Sequence, residues 1–268
     1  MSYKAILVHV EPTLASEARL QAAVGFAREL DAALIGLGGR ASMIQTAPLA
    51  VAEGGGYAVE AWAEDEARAL AEVEVTFRKL AGGATWRAAP DYPTDALCDN
   101  AAGADLIITG LERAAADFAP NAADTVLRAG LPVIALPAGH SQIGFERIVV
   151  AWKDTREARR AVSDALPLLR RASEVAVVSV STHSGAAATP ASIDNLRDRL
   201  ARHGVTAVVE PVSTRGDPGD KLISFATSRR ADLIVAGAFG HSKAGEWLLG
   251  GMTQTLLECS PLPVLFSH

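Results

Sequence analysis

One seven-residue run occurs in two closely similar copies in this chain. Ala104-Asp105-Leu106-Ile107-Ile108-Thr109-Gly110 returns as Ala231-Asp232-Leu233-Ile234-Val235-Ala236-Gly237. Two shorter pairs keep the same order. Ile6-Leu7-Val8-His9-Val10 parallels Ile148-Val149-Val150-Ala151-Trp152, and Leu131-Pro132-Val133-Ile134 parallels Leu262-Pro263-Val264-Leu265. The first pair is followed in both halves by a Glu-Ala-Arg helix start, at residues 16–19 and 156–159. Matches in one order along both halves mean a duplicated unit. The 268 residues then divide into domains 1–138 and 146–268, each of ordinary domain size, joined by a Gly- and polar-rich linker at 137–145.

Each half alternates short apolar, β-branched runs with helical stretches. In the first half the strand runs are 5–10, 33–37, 85–88, 106–109 and 132–136, and the helical ones 12–31, 57–80, 94–102 and 122–129. On the first helix Leu14, Ala18, Ala22 and Phe26 share a face. Residues 38–56 are Gly-rich and carry no regular signal; their Met43, Ile44, Leu49 and Val51 suit packing. In the second half the strand runs are 147–152, 175–180, 205–212, 233–236 and 264–266, and the helices 155–171, 190–203, 218–230 and 252–259. Strands alternating with helices of this length give an α/β fold with parallel sheets and crossover helices.

In such sheets ligands bind beyond the carboxyl ends of the strands. The exit after Ala236 is the informative one: Gly237-Ala238-Phe239-Gly240, nine residues, then Gly250-Gly251-Met252-Thr253 opening a helix. Glycines allow close backbone approach, and a helix amino terminus suits a phosphate. The same glycines serve equally well as a plain turn.

Gly-x2-Gly-x9-Gly from Gly237 through Gly240 to Gly250, with the flanking 231–235 and 263–265 strands, resembles the ATP loop of universal stress proteins. The resemblance runs once through each half, as in tandem-domain members. It implies two doubly wound domains, each an open five-stranded parallel sheet with helices on both faces, paired within the chain or as a homodimer. It further implies ATP, with magnesium carried by the nucleotide, in the second domain. Phosphates would meet Gly240, Gly250, Gly251, Met252 and Thr253, with Gly237 near the ribose and the base beside Ala151, Trp152 and Val180. Two positions depart from the pattern. Gly251 stands where the family has Ser or Thr. Lys153, followed by Asp154, stands where an Asp ends the first strand, and a lysine cannot accept a hydrogen bond from an adenine amino group. Lys153 is left to reach a phosphate or pair with Asp154. In the first half Glu11 takes the Asp position, but Gly110 is followed by Leu111-Glu112-Arg113-Ala114 with no second glycine, and Glu112 and Asp117 oppose a triphosphate. That half reads as a degenerate partner.

Other groups read as structural. His9 in its strand is expected to be a satisfied core histidine, Asp217 a helix cap, and Cys98 and Cys259 buried reduced thiols. His241-Ser242-Lys243 reads as a solvated loop and Trp247-Leu248-Leu249 as an apolar anchor. Arg215 or Lys221, near a strand exit, would help to hold an anion there. No CxxC or Cys/His cluster offers a metal site, and no Walker loop or dinucleotide Gly-x-Gly-x2-Gly is present. A net charge of −6 excludes a counterion-displacing nucleic-acid surface. No apolar run reaches the ~18 residues of a membrane span, so the expected address is cytoplasmic. The expected function is a stress-response, adenine-nucleotide-binding module without efficient hydrolysis. A nucleotide-independent interaction or dimerisation protein is the alternative, and a slow ATPase the third reading.

Overall fold

A computed structural model describes residues 2–40, 48–111, 119–182, 188–240 and 251–268. The chain separates into two compact units, one of residues 3–129 with 138–142 and one of residues 1–2, 130–137 and 143–268.

The N-terminal unit carries strands β1 (Ala5–His9), β2 (Ala33–Gly39), β3 (Thr85–Ala89) and β4 (Leu106–Gly110). They lie parallel in the order β3-β2-β1-β4. Helix α1 (Leu14–Leu30) starts at Thr13, whose hydroxyl accepts from the Ser16 N–H, and ends at Asp31 in the left-handed region. Helix α2 spans Pro48–Ala81 and α3 Pro93–Asn100. Gly36 and Gly38 point to one face of β2, where an added Cβ would strike Phe77 of α2 and Trp86 of β3. Gly39 points to the other, against Pro93 and Ala96 of α3. Helices therefore cover both faces, as the parallel α/β expectation requires. Helix α4 (Ala122–Arg128) is capped by Asn121.

Strands β5 (Val133–Leu136), β6 (Arg147–Ala151), β7 (Glu174–Thr182), β8 (Ala207–Thr214), β9 (Leu233–Gly237) and β10 (Val264–Ser267) belong to the C-terminal unit. Their order is β5-β10-β9-β6-β7-β8. All pairs are parallel except β5 with β10, which is antiparallel. Central strands are buried along their length, which explains their unbroken apolar runs. The edge strand β8 alternates instead, exposes Val208 and contains Pro211, a poor template for further pairing. Helices α5 (Arg156–Leu169), α6 (Pro190–Arg202), α7 (Pro218–Ser228) and α8 (Gly251–Cys259) complete the unit. Among the described residues, no helix is long and apolar enough to cross a membrane.

Several local expectations change. The buried face of α1 is Ser16, Arg19, Leu20, Ala22, Ala23, Phe26 and Ala27, whereas Leu14 is 84% exposed. The stripe is rotated because Arg19 goes inside to meet Glu11. Helix α2 begins at Pro48, within the stretch read as irregular, and residues 41–47 lie outside the described residues. The thiols are less buried than expected. Cys98 is half-buried, and Cys259 is exposed because α8 turns Thr253 and Leu256 inward instead.

Candidate functional site

Strand register decides what meets at the carboxyl ends of the C-terminal unit. Ala151 pairs with Ala236 of β9 and Val178 of β7, so Ala151 and Gly237 end neighbouring strands, whereas Val180, expected to end its strand, lies inside β7, which runs on beside β8 to Thr182. Beyond Ala151 the chain turns into α5. The Trp152 N–H donates to the Val178 carbonyl (2.8 Å), and its buried indole Nε1 donates to Ser192 Oγ on α6 (3.1 Å). Trp152 is thus a core bolt between β6 and α6. Trp152→Phe removes the donor and leaves the buried Ser192 hydroxyl unserved. A loss of about 1 kcal/mol is expected in chemical denaturation.

Lys153 is exposed. Asp154 pairs with Arg159 one turn along (Nε to Oδ1, 2.9 Å), not with Lys153, because α5 presents the arginine on the same side as the turn. Thr155 caps α5, accepting from the Ala158 N–H.

The exit of β9 is clamped from three sides. A Cβ on Gly237 would lie 2.4 Å from Ala158 N and 2.5 Å from Glu157 C, so only glycine lets the strand end press on the first turn of α5. The Ala238 N–H donates to Ser267 O (2.9 Å), and its carbonyl accepts from His268 Nδ1 (3.0 Å). Phe239 adopts a left-handed backbone (φ 56°), sits edge-on to the His268 ring, and directs its N–H at Thr253 Oγ1 in a long 3.5 Å contact. Gly240 follows, exposed. Gly251 opens α8, also exposed, with Met252 half-buried and Thr253 buried. Gly250, the 241–243 loop and Trp247-Leu248-Leu249 lie outside the described residues. The fold thus brings Gly237, Gly240 and Thr253 together beside the amino termini of α5 and α8.

Two carboxylates missed as site neighbours border this segment. Glu157 is buried on the first turn of α5, and its Oε2 would stand 3.3 Å from a Cβ at Gly240. Burial opposes its charge. Its own backbone N–H, the Thr155 hydroxyl, Arg156 and His268 outweigh burial and hold the carboxyl below the usual range. Asp217 is the α7 cap as expected, accepting from Gly219 N (2.7 Å) and Asp220 N (3.0 Å). Its Oδ2 would lie 3.7 Å from a Cβ at Gly251. Glycine at 219 lets α7 approach Thr255 of α8 closely enough to bring this about. The sequence signal was present in both cases, as a Thr-x-Glu helix start and an Asp-Pro-Gly turn.

The matching end of the N-terminal unit is built differently. His9, Glu11, Arg19 and Thr109 are all buried there, whereas the repeat places Ala151 and Ala236 opposite His9 and Thr109. Arg19 Nη2 lies 3.2 Å from Glu11 Oε1, and His9 Nδ1 3.7 Å from Glu11 Oε2. His9 is in the core as expected but not satisfied, since neither ring nitrogen completes a hydrogen bond of normal geometry. Burial, then Arg19, push it down to about 3, against a weaker upward pull from the Gly39 backbone. Glu11 is engaged with Arg19 and the Thr13 hydroxyl. Glu112, Arg113 and Asp117 lie outside the described residues. Among the described residues, no group of three or more His, Cys, Asp or Glu is placed to hold a metal.

Residues 144–268 match the model of the universal stress protein family. A universal stress protein domain is present in this chain. Universal stress protein YxiE of Bacillus subtilis (strain 168) is 30% identical over 73 residues, 27% of this chain and 48% of that protein, so the chain spans about half the length of the curated relative it matches. Among solved structures, a universal stress protein from Archaeoglobus fulgidus DSM 4304 is similar over 98% of this chain and 97% of its own, with 16% identity and a TM-score of 0.71. A functionally unknown protein from Pseudomonas aeruginosa PAO1 is similar over 99% of this chain and 92% of its own, at 16% identity and a TM-score of 0.58. These likenesses show the α/β fold. The universal stress protein domain contains the whole glycine segment, the α5 turn and Asp217.

Proposed function

We propose that the universal stress protein domain is an adenine-nucleotide-binding module of a stress-response protein, taking ATP without efficient hydrolysis. The first domain acts as its partner within the chain. One observation carries this reading: Gly240 and Gly251 are exposed backbone at a strand exit and a helix amino terminus, above the Thr253 hydroxyl. Residues without side chains at these points let a phosphate reach N–H donors directly. Trp152 contributes no exposed ring, so contact with the base falls to the end of β6 at Ala151 and to Val180 within β7.

The test is the unfolding midpoint of the purified chain across concentrations of ATP with magnesium. At about 100 times its dissociation constant, a ligand stabilises the native state by about 2.7 kcal/mol. Gly251→Leu, on an exposed position where the added Cβ would meet only Asp217 Oδ2 at an ordinary 3.7 Å, is expected to leave the ligand-free midpoint nearly in place and to abolish the shift. No shift in the unmodified chain at millimolar ATP favours the second reading, an interaction protein independent of nucleotide. The observation behind that reading is Lys153, exposed where the family's base-reading Asp is expected.

A further inference from the structure

The glycine segment is flanked by ionised groups of the wrong sign for a bare polyphosphate. At Gly240 the neighbour is Glu157, with its side chain 3% exposed and its Oε2 turned toward the glycine. At Gly251 it is Asp217, held in place by two N–H donors of α7. Both carboxylates are fixed by the architecture, one through the close seat of Gly237 on α5 and the other through that of Gly219 on α8. Among the described residues the nearby cations are less constrained. Arg156, paired with Glu157 Oε1, is 66% exposed, Lys153 and Arg215 are exposed, and Lys221 is half-buried. Water screens those charges more than it screens Glu157. A free triphosphate brought to Gly240 and Gly251 would meet two fixed negative charges. A divalent cation on the phosphates halves the opposing charge and offers the carboxylates something to attract.

We propose that Glu157 and Asp217 are specificity-determining residues that favour a nucleotide as its divalent-cation complex over the free nucleotide. The proposal rests on the nucleotide reading above. It needs no direct bond from either carboxylate to the cation, since the discrimination is made by field. One unit charge at about 10 Å, in a medium of effective dielectric about 20, is enough for a tenfold preference.

Calorimetric titration tests it with three probes: ATP in excess magnesium, ATP with a chelator, and adenosine. The chains are the unmodified protein, Glu157→Gln and Asp217→Asn. Asparagine caps a helix as well as aspartate does, and glutamine keeps the shape of glutamate while turning one acceptor oxygen into a donor. Adenosine affinity and the ligand-free unfolding midpoint are therefore followed in both variants as controls for the fold. The unmodified chain is expected to prefer the magnesium complex by roughly tenfold or more, equivalent to about 1.4 kcal/mol. Each variant should shrink that ratio by tightening free ATP, with adenosine unchanged. Equal affinity for both forms in the unmodified chain overturns the proposal, as does an undiminished ratio in both variants. Absence of any binding, by every chain and probe, removes the nucleotide reading and this proposal with it.

Discussion

Replacing Gly237 by alanine is expected to destabilise the C-terminal unit by about 3 kcal/mol. The new methyl would sit 2.4 Å from Ala158 N and 2.8 Å from Ala158 Cα, and backbone atoms cannot rotate aside as a side chain can. Relief requires α5 to withdraw from β9, and α5 also packs on β10. Gly240 provides the internal control. Its added methyl meets only the end of the Glu157 side chain at 3.3 Å, so Gly240→Ala should cost less than about 0.5 kcal/mol. Urea midpoints of the two variants, side by side, give the answer. If both unfold alike, Gly237 is not held against α5 in solution.

The second large effect concerns acid. His9 is wholly buried and held down to about 3, by burial first and by Arg19 second, while an unfolded histidine titrates near 6.5. Between these values the unfolded chain binds a proton that the native chain refuses. Stability is therefore fully present above about pH 6.5, falls as pH drops through that value, and stops falling near pH 3. The loss by pH 4 should be roughly 3 kcal/mol from this one group. Carboxylates held down in the native state, Glu157 among them, begin to cost stability as pH nears their unfolded values of about 4, so the window from about 6.5 to 5 belongs mainly to His9. Denaturation midpoints followed across that window should decline in the unmodified chain and stay nearly level in His9→Gln. Parallel profiles would assign the acid response elsewhere.

The parallel α/β architecture is legible because its strands are buried on both faces, so runs such as Leu106–Gly110 and Leu233–Gly237 stand out and repeat. Misreadings arise where a polar residue is drawn inside or an apolar one left outside. Arg19 has the look of a surface residue, which puts the expected inner face of α1 over Leu14, yet the guanidinium is buried on Glu11. Nothing local announces that pairing, which spans a strand end and a helix turn. The start of α2 is hidden by Gly54-Gly55-Gly56, a run of poor helix formers. At the candidate site the glycines are visible as a pattern. Glu157 and Asp217 do not show as their neighbours, because each reads as an ordinary helix-start residue. Their bearing on Gly240 and Gly251 arises only when separate helices pack.

Strand β5 falls within residues 1–138, expected from the sequence to form one domain, but sits antiparallel against β10 in the second unit. A fragment cut to residues 144–268, the extent of the family match, would therefore leave β10 without its outer neighbour. Val264, Leu265 and Phe266, fully buried in the whole chain, would border an open row of N–H and C=O groups. Because that vacant place accepts an antiparallel strand, two copies of the fragment can fill it for each other about a twofold axis. A dimer of the excised domain would then report where the scissors fell, and the association state of the protein has to be measured on the uncut chain.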